Sequence, residues 1–307
     1  MKLDGIATFV MVAESGSLSE AARRLRVSRS VVSERLVELE KALGTSLLQR
    51  TTRKVTVTED GAAFLARAVR IVREVEEAAA DVAERRGSLS GPLRISAPVT
   101  FGRMHLGPAL YPFLAQYPDI QLTLDLNDRR VDAAADGFDA VIRHGPIQDS
   151  YLVAWQLATS QRLLVASPTY LARYGTPGSL AELEGHRGLF YSNRGGADWR
   201  FVHQGQTRVV HGRSGLVLNN GDMLRDAAIA GLGITLLPMF IVSTAIRSGA
   251  LMTIDVGVEA EREYIYIAHP DRQNPSAKLR ALAAWLKEAF GSPPYWDRDG
   301  SEAHAGS

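Results

Sequence analysis

Two helix-start signals stand close together near the beginning of this 307-residue chain, with room between them for one short helix. Leu3, Ile6, Phe9, Val10, Val12 and Ala13 recur at helical spacing, so a first helix runs from about Asp4 to Ser15. Gly16 stops it. Ser17 then opens a capping box with Glu20, which satisfies N–H groups that the first turn of a helix leaves bare. The second helix is short, about Leu18 to Leu25. Arg26-Val27 makes the turn, Ser28 caps a third helix, and Gly44 ends it after about Leu43.

On the third helix Val32, Leu36, Leu39 and Leu43 form one apolar stripe, the face that packs on the first two helices. Ser30, Ser33, Glu34, Val37 and Lys41 project to the opposite side, with Arg29 at the N-terminal tip. Small polar groups and an arginine near a helix N-terminus suit the DNA major groove, where side chains must reach base edges without steric conflict. From periodicity alone a surface helix with a solvated face remains an equal alternative.

The next residues favour the groove. Leu47-Leu48-Gln49 and Val55-Thr56-Val57 alternate like two short strands around Arg50-Thr51-Thr52-Arg53-Lys54, a hairpin with a basic tip placed to reach phosphates or the minor groove. Met1 to Thr58 carries ten basic and six acidic residues, against a net charge of +1 for the whole chain, so positive charge is concentrated here. Thr58 caps a long helix reaching about Arg86, with Glu59 and Asp60 in its positive first turn. Along it Leu65, Ala68, Val72, Val75, Ala79 and Val82 step like the seam of a coiled coil. With no evident partner for so narrow a stripe in its own domain, the seam is read as intermolecular. It would give a homodimer that presents two recognition helices.

These residues resemble a known family. The run from Ala21 through Gly61, A-A-R-R-L-R-V-S-R-S-V-V-S-E-R-L-V-E-L-E-K-A-L-G-T-S-L-L-Q-R-T-T-R-K-V-T-V-T-E-D-G, is similar to the DNA-binding domain of LysR-type transcriptional regulators. Asp139-Ala140-Val141-Ile142-Arg143, Ala166-Ser167-Pro168-Thr169-Tyr170-Leu171 and Ala230 to Pro238 resemble the effector-binding domain of the subgroup with an R-H-G loop after its I-R strand. The recognition helix departs from the family in two places. Arg29-Ser30 stands where proline or a small residue is common, and Ser33-Glu34 where the second serine is usually followed by arginine or lysine. Glu34 would repel phosphate but could accept a hydrogen bond from a cytosine amino group. The DNA-facing candidates are Ser28, Arg29, Ser30, Ser33, Glu34, Arg35, Val37, Arg50, Thr52, Arg53 and Lys54.

Gly87 to Pro92 reads as a hinge, after which strands alternate with helices. Strands are expected at Leu93–Ala97, Gln121–Leu126, Asp139–Arg143, Arg162–Ala166, near Leu189, Arg208 and Leu216, at Ile234–Leu237 and at Glu263–Ala268. Helices are expected at Phe101–Tyr117, Arg129–Ala135, near Thr169–Tyr174, at Asp222–Ala230 and at Ser276–Phe290. That is an α/β domain with a largely parallel sheet. The resemblance implies two lobes like a periplasmic solute-binding protein, with crossovers near Ser160 and Ile267. The expected organisation is a winged helix-turn-helix over 1–58, a linker and dimerisation helix over 59–86, a hinge over 87–92 and an effector-binding domain over 93–290. Lobe 1 would take 93–160 and 268–290, lobe 2 161–267, and residues 291–307 would form a disordered tail.

Ligands in open α/β sheets bind at strand C-termini and helix N-termini. Val99, Thr100, Phe101, Arg143, His144, Ser192, Asn193, Asn219 and Asn220 occupy such places and are the effector-binding candidates. The plain alternative is that Thr100 and Asn220 are helix caps and that Arg143 pairs with a neighbouring acid.

The chain has no cysteine, which excludes disulfides and thiol catalysis and fits a cytoplasmic location. Its seven histidines show no metal-binding spacing, and neither a nucleophile elbow nor a phosphate loop occurs. Gly231-Leu232-Gly233 is better explained by packing than by dinucleotide binding. No apolar run reaches the roughly 20 residues a membrane span needs. The reading is therefore a ligand-responsive regulator and not an enzyme. It uses no cofactor and takes double-stranded DNA and a small-molecule effector, an organic anion among the candidates, as partners. It forms a homodimer that the family extends to a tetramer. A solute-binding module with a helical oligomerisation arm is the alternative, and it leaves the basic wing without a job.

Overall fold

The computed structural model describes residues 1–50, 55–84, 89–129, 131–145, 151–192, 198–203, 206–270 and 275–298. They fall into two compact units, Met1–Gly91 and Pro92–Ser307, which are taken in turn.

The first unit begins with α1 (Leu3–Ser15), α2 (Leu18–Leu25) and α3 (Arg29–Leu43). Ser17 accepts the Glu20 N–H and Ser28 the Val31 N–H, while Gly16 and Gly44 close their helices in the left-handed region. Arg26 adopts φ +54 in the turn, the one non-glycine residue with positive φ among those described. Strands β1 (Leu48–Arg50) and β2 (Val55–Val57) pair antiparallel, with Leu48 opposite Val57 and Arg50 opposite Val55. The long helix α4 (Glu59–Glu84) follows, and Thr58 Oγ1 accepts the Gly61 N–H at its start.

The core joins Ile6, Phe9 and Val12 of α1 with Ala21, Val32, Leu36, Leu39, Leu47 and Ala68. Leu43, expected in the apolar stripe, is 36% exposed at the end of α3. The long helix does have a partner within its own unit, contrary to expectation. Ala68 is fully buried, Leu65 and Val72 pack on the same core, and the Phe64 ring lies 5.7 Å from Phe9. The seam splits there, because Val75 is 43% exposed and Ala79 is exposed. The Val82 side chain and residues 85–88 lie outside the described set.

The second unit runs β3 (Gly91–Ala97), α5 (Val99–Phe101), a π-helical turn Gly102–Leu106, α6 (Gly107–Gln116), β4 (Ile120–Leu126), β5 (Ala140–His144) and β6 (Leu152–Ser160). It crosses to β7 (Arg162–Ala166), α7 (Pro168–Tyr174), α8 (Leu180–Leu183), β8 (Arg187–Tyr191), β9 (Trp199–His203), β10 (Gln206–Val210) and β11 (Arg213–Leu218). Then come α9 (Gly221–Ile229), β12 (Ile234–Pro238), α10 (Met239–Arg247), β13 (Met252–Thr253) and β14 (Glu259–Ala260). The chain returns through β15 (Glu263–Pro270) to α11 (Ala277–Phe290) and α12 (Tyr295–Arg298). One lobe is built on a sheet in the order β4-β3-β5-β15-β6, the other on β11-β8-β12-β7-β13, with a small sheet β10-β9-β14 beside it.

Four expectations change. The sheets are mixed rather than largely parallel: β3 and β5 run parallel, as do β8, β11 and β12, but β15 is antiparallel to both its neighbours and β7 to β12. The strands that change lobe re-enter from the opposite end, which reverses their direction. The second crossover precedes Glu263 rather than lying near Ile267, because all of β15 pairs with β6, from Glu263 opposite Ser160 to Pro270 opposite Leu152. No helix occurs among the described residues of the expected Arg129–Ala135 segment; Asp132 folds residues 132–135 into one turn by accepting the N–H groups of Ala134 and Ala135 on its carboxylate. Finally, Gly291–Arg298 is ordered. Trp296 is 3% exposed, and its ring lies 4.7 Å from His105 and 5.3 Å from Phe290. Burying an indole outweighs the turn-rich composition of that segment. Residues 299–307 lie outside the described set.

Gly233 shows why glycine recurs after α9: a β-carbon there would sit 2.4 Å from the Arg187 carbonyl oxygen. Close packing accounts for it, as the sequence implied.

Candidate nucleic-acid interface and ligand cavity

The cap at Ser28 places α3. Ser28 Oγ lies 2.7 Å from Ser30 Oγ, so the two hydroxyls share a hydrogen bond at the exposed tip. Arg29, Ser30, Glu34 and Lys41 are exposed, Val37 is 55% exposed, and Ser33 is half-buried beside them. Arg35 is different. Its Nη2 donates to Asp4 Oδ2 at 3.0 Å, which ties α3 to α1. Several other cations are also occupied. Lys2 meets Glu38 at 3.0 Å, and Arg23 and Arg24 both hold Glu20, whose carboxyl they pull down to about 2. These pairings leave the net charge of the unit as counted, since the acids are already subtracted, but they hold these four cations on the fold.

The wing is fixed from below. Glu40 Oε1 accepts the N–H groups of Leu47 and Leu48 at 2.8 and 3.2 Å, and Thr58 Oγ1 donates to the Ser46 carbonyl. Gly61 lets α4 approach, since a β-carbon there would lie 2.1 Å from the Leu47 oxygen. Arg50 ends β1 and faces Val55 in register. Thr52, Arg53 and Lys54, the expected tip, lie outside the described residues.

In the second unit a cavity of about 310 Å³ is lined from both lobes. Thr100, Phe101, Arg143 and His144 line it, as does Gly221 beside Asn220. Thr100 is 5% exposed and caps nothing; the N-cap of α5 is Pro98, and Thr100 Oγ1 donates to Asp222 Oδ2 at 3.4 Å. Val99 donates its N–H to Asp128 Oδ1 at 2.9 Å. Burial pushes the Asp128 carboxyl up, and the Val99 N–H, Arg143 and the Asn220 side chain oppose that rise. Asn220 also caps α9 by accepting the Met223 N–H at 3.0 Å. Arg143 donates to the Ile142 carbonyl and to Ser96 Oγ, and His144 Nε2 lies 2.8 Å from Ser160 Oγ. Ser192 and Asn219 are exposed and off the cavity wall, and Asn193 lies outside the described residues.

Sequence reasoning missed most of the lining, among it Asp128, Arg129, Arg162, Tyr191, Arg200, Phe240, Glu261 and Glu263. Four arginines and a histidine thus face three carboxylates across an apolar wall that includes Phe101, Phe240 and Ile241. Phe240 stands edge-on to both Phe101 and His144, at 5.4 and 5.5 Å. Behind that wall His105 bridges the Tyr295 hydroxyl and the Phe240 carbonyl, and burial lowers its pKa. Among the described residues no cluster of side chains could hold a metal ion, and no helix is long and apolar enough to cross a membrane.

Comparison with known proteins matches both units. The model of a bacterial regulatory helix-turn-helix protein of the lysR family covers residues 3–62, and that of a LysR substrate binding domain covers 86–291. An uncharacterized HTH-type transcriptional regulator of Haemophilus influenzae is 34% identical over 283 residues, covering 92% of this chain and 98% of that protein. The HTH-type transcriptional regulator PtxR of Pseudomonas aeruginosa is 33% identical over 96% of this chain and 95% of its own. The solved structure of CrgA, a LysR-type transcriptional regulator from Neisseria meningitidis, is similar with a TM-score of 0.59 and 29% identity, covering 95% of this chain and all of that one at 100%.

Proposed function

Because the chain belongs to the LysR family of bacterial transcriptional regulators, we propose that a small organic anion held between its lobes sets how its helix-turn-helix engages DNA. Membership makes it a ligand-responsive DNA-binding regulator and not an enzyme. It also removes the alternative of a solute-binding module without DNA.

The observation that carries the anion reading is the cationic balance of the cavity. Arg129, Arg143, Arg162 and Arg200 line a chamber of about 310 Å³, enough for a small acid with an apolar body against Phe101 and Phe240. Guanidinium groups recognise carboxylate in paired hydrogen bonds. On the DNA side Ser28, Arg29, Ser30, Ser33, Glu34 and Val37 face the major groove, with Arg50, Thr52, Arg53 and Lys54 of the wing on the backbone. Arg35 serves the fold rather than the operator. The exposed end of the seam, Val75 and Ala79, takes a second copy, and the homodimer pairs into a tetramer whose geometry bends DNA. The protein works in the cytoplasm.

A gel shift with the chain's own upstream region across a salt series tests the DNA half. A specific complex whose affinity falls linearly in log salt is expected, and no specific complex at any salt would sink it. A thermal-shift screen of small organic acids tests the ligand half, since a ligand that binds only the folded state raises its melting temperature.

A further inference from the structure

We propose that Glu263 is a carboxylate lock between the lobes: it occupies His144 and Arg162, and an anionic effector acts by competing for them. The inference rests on the effector reading of the cavity above.

The two chain crossings between lobes meet at one place. Strand β6 ends at Ser160 and β7 begins at Arg162, while the return strand β15 begins at Glu263, directly opposite Ser160. The Glu263 side chain is only 2% exposed there. Its Oε2 lies 3.0 Å from His144 Nε2 in the first lobe, within ion-pair range of a protonated ring but not aligned for a hydrogen bond, and its Oε1 lies 3.7 Å from Arg162 Nη1 in the second. The two partners are themselves anchored. Arg162 Nη2 donates to the Leu236 carbonyl at 2.9 Å, in the central part of the second lobe's sheet, and the His144 ring is held by Ser160 Oγ at 2.8 Å. One carboxylate therefore connects a group fixed on each lobe, across the point about which the lobes must turn.

All three side chains also line the cavity. A buried carboxylate stripped of its partners is strongly unfavourable, so an effector carboxylate displaces Glu263 only as the Glu263 side chain turns out into the water of the cavity it lines. Turned out, Glu263 would no longer tie the lobes. A ligand shifts a conformational equilibrium only by its differential affinity, and competition at the hinge supplies that difference directly. The chemical class that fits is a carboxylate small enough to reach Arg162.

The test uses the full chain, the variants Glu263→Ala and Glu263→Gln, and acetate as the probe, with chloride at equal ionic strength as control. Glu263→Ala leaves a carboxylate-sized vacancy beside Arg162 and His144. Acetate should raise its melting temperature saturably and bind at least about tenfold more tightly than to the wild type, roughly 1.4 kcal/mol. Without any ligand both variants should give a nuclease footprint on the upstream DNA that differs from that of the wild type, and acetate should return the Glu263→Ala footprint. Should the alanine variant not fold, the isosteric glutamine variant carries the footprint test. Footprints of the folded variants identical to the wild type, or acetate no more effective than chloride, would overturn the lock. If the wild type binds organic acids while the variants footprint normally, the lock fails and the effector reading stands. An acetate-reversible footprint in Glu263→Ala, with no acid bound by the wild type, upholds the lock and removes the effector reading.

Discussion

Helix α3 gathers its exposed polar groups from one run of 15 residues, whereas the cavity draws its lining from segments between Pro98 and Ala268. The first surface is convex and local: a cap at Ser28, an apolar stripe beneath, and small side chains above. The second is concave and assembled, since its cations come from β5, β7, β9 and the loop after β4. The contrast shows that recognition of a long, uniform polymer can be written into a single helix. Recognition of a small ligand needs distant residues brought together by the fold.

The contrast can be broken at the backbone first. Gly61→Ala would press a β-carbon to within 2.1 Å of the Leu47 oxygen, and Gly233→Ala would press one to within 2.4 Å of the Arg187 oxygen. Each should cost about 4 kcal/mol or more, and calorimetry should show each lowering the melting of its own unit alone. If either substitution melted both units together, they would be one cooperative body rather than two. Next in size is Trp296→Ala, which removes an indole set edge-on to Phe101 and Phe240. About 3 kcal/mol should be lost from the second unit, with DNA affinity of the folded protein unchanged.

That tryptophan marks where reading the sequence ran out. The caps at Ser17, Ser28, Thr58 and Asn220 were legible because a cap is a contact between residues two or three apart. The apolar stripe of α3 was legible for the same reason, apart from its exposed end at Leu43. The tail was not, because its Gly-Ser-Pro-Pro composition outweighed the adjacent Tyr295-Trp296 pair, and only the fold supplies the pocket that pair fills. Glu263 gives no local sign of burial either. It opens an alternating strand, and its partners His144 and Arg162 come from far earlier in the chain. The seam of α4 was half legible: spacing finds the stripe but not the point at which α1 stops covering it.

A smaller effect should separate the two roles within α3. Ser33→Ala should change sequence preference by about 1 kcal/mol at one base pair, measured as competition between operator variants. Arg53→Ala should instead weaken binding to all sequences and reduce the salt slope by about 1. If Ser33→Ala lowered all affinities equally, the helix would be touching backbone rather than bases.

The smallest effect concerns Asp297, whose Oδ1 is buried without a partner among the described residues and whose carboxyl is pushed by burial up to about 6 from 3.8. The raised value means the folded state favours the neutral acid. Below about pH 4 both states are protonated and there is no penalty; between pH 4 and 6 the penalty grows, and above pH 6 it is complete. Asp297→Asn should therefore stabilise the second unit at pH 7.5 by about 1 kcal/mol, reduced from the full shift because the group is half-exposed, and do nothing at pH 4. Thermal unfolding at the two pH values checks this.

The central claim is that the concave site governs the convex one. Its most direct test is a circular-permutation bending assay of the full chain on its own upstream DNA, with and without an organic acid that raises the protein's melting temperature. The account predicts a change in bend angle on adding the acid, abolished by Arg143→Ala, which takes a cation from the cavity wall and leaves the reading head untouched. An identical bend at saturating acid would contradict it.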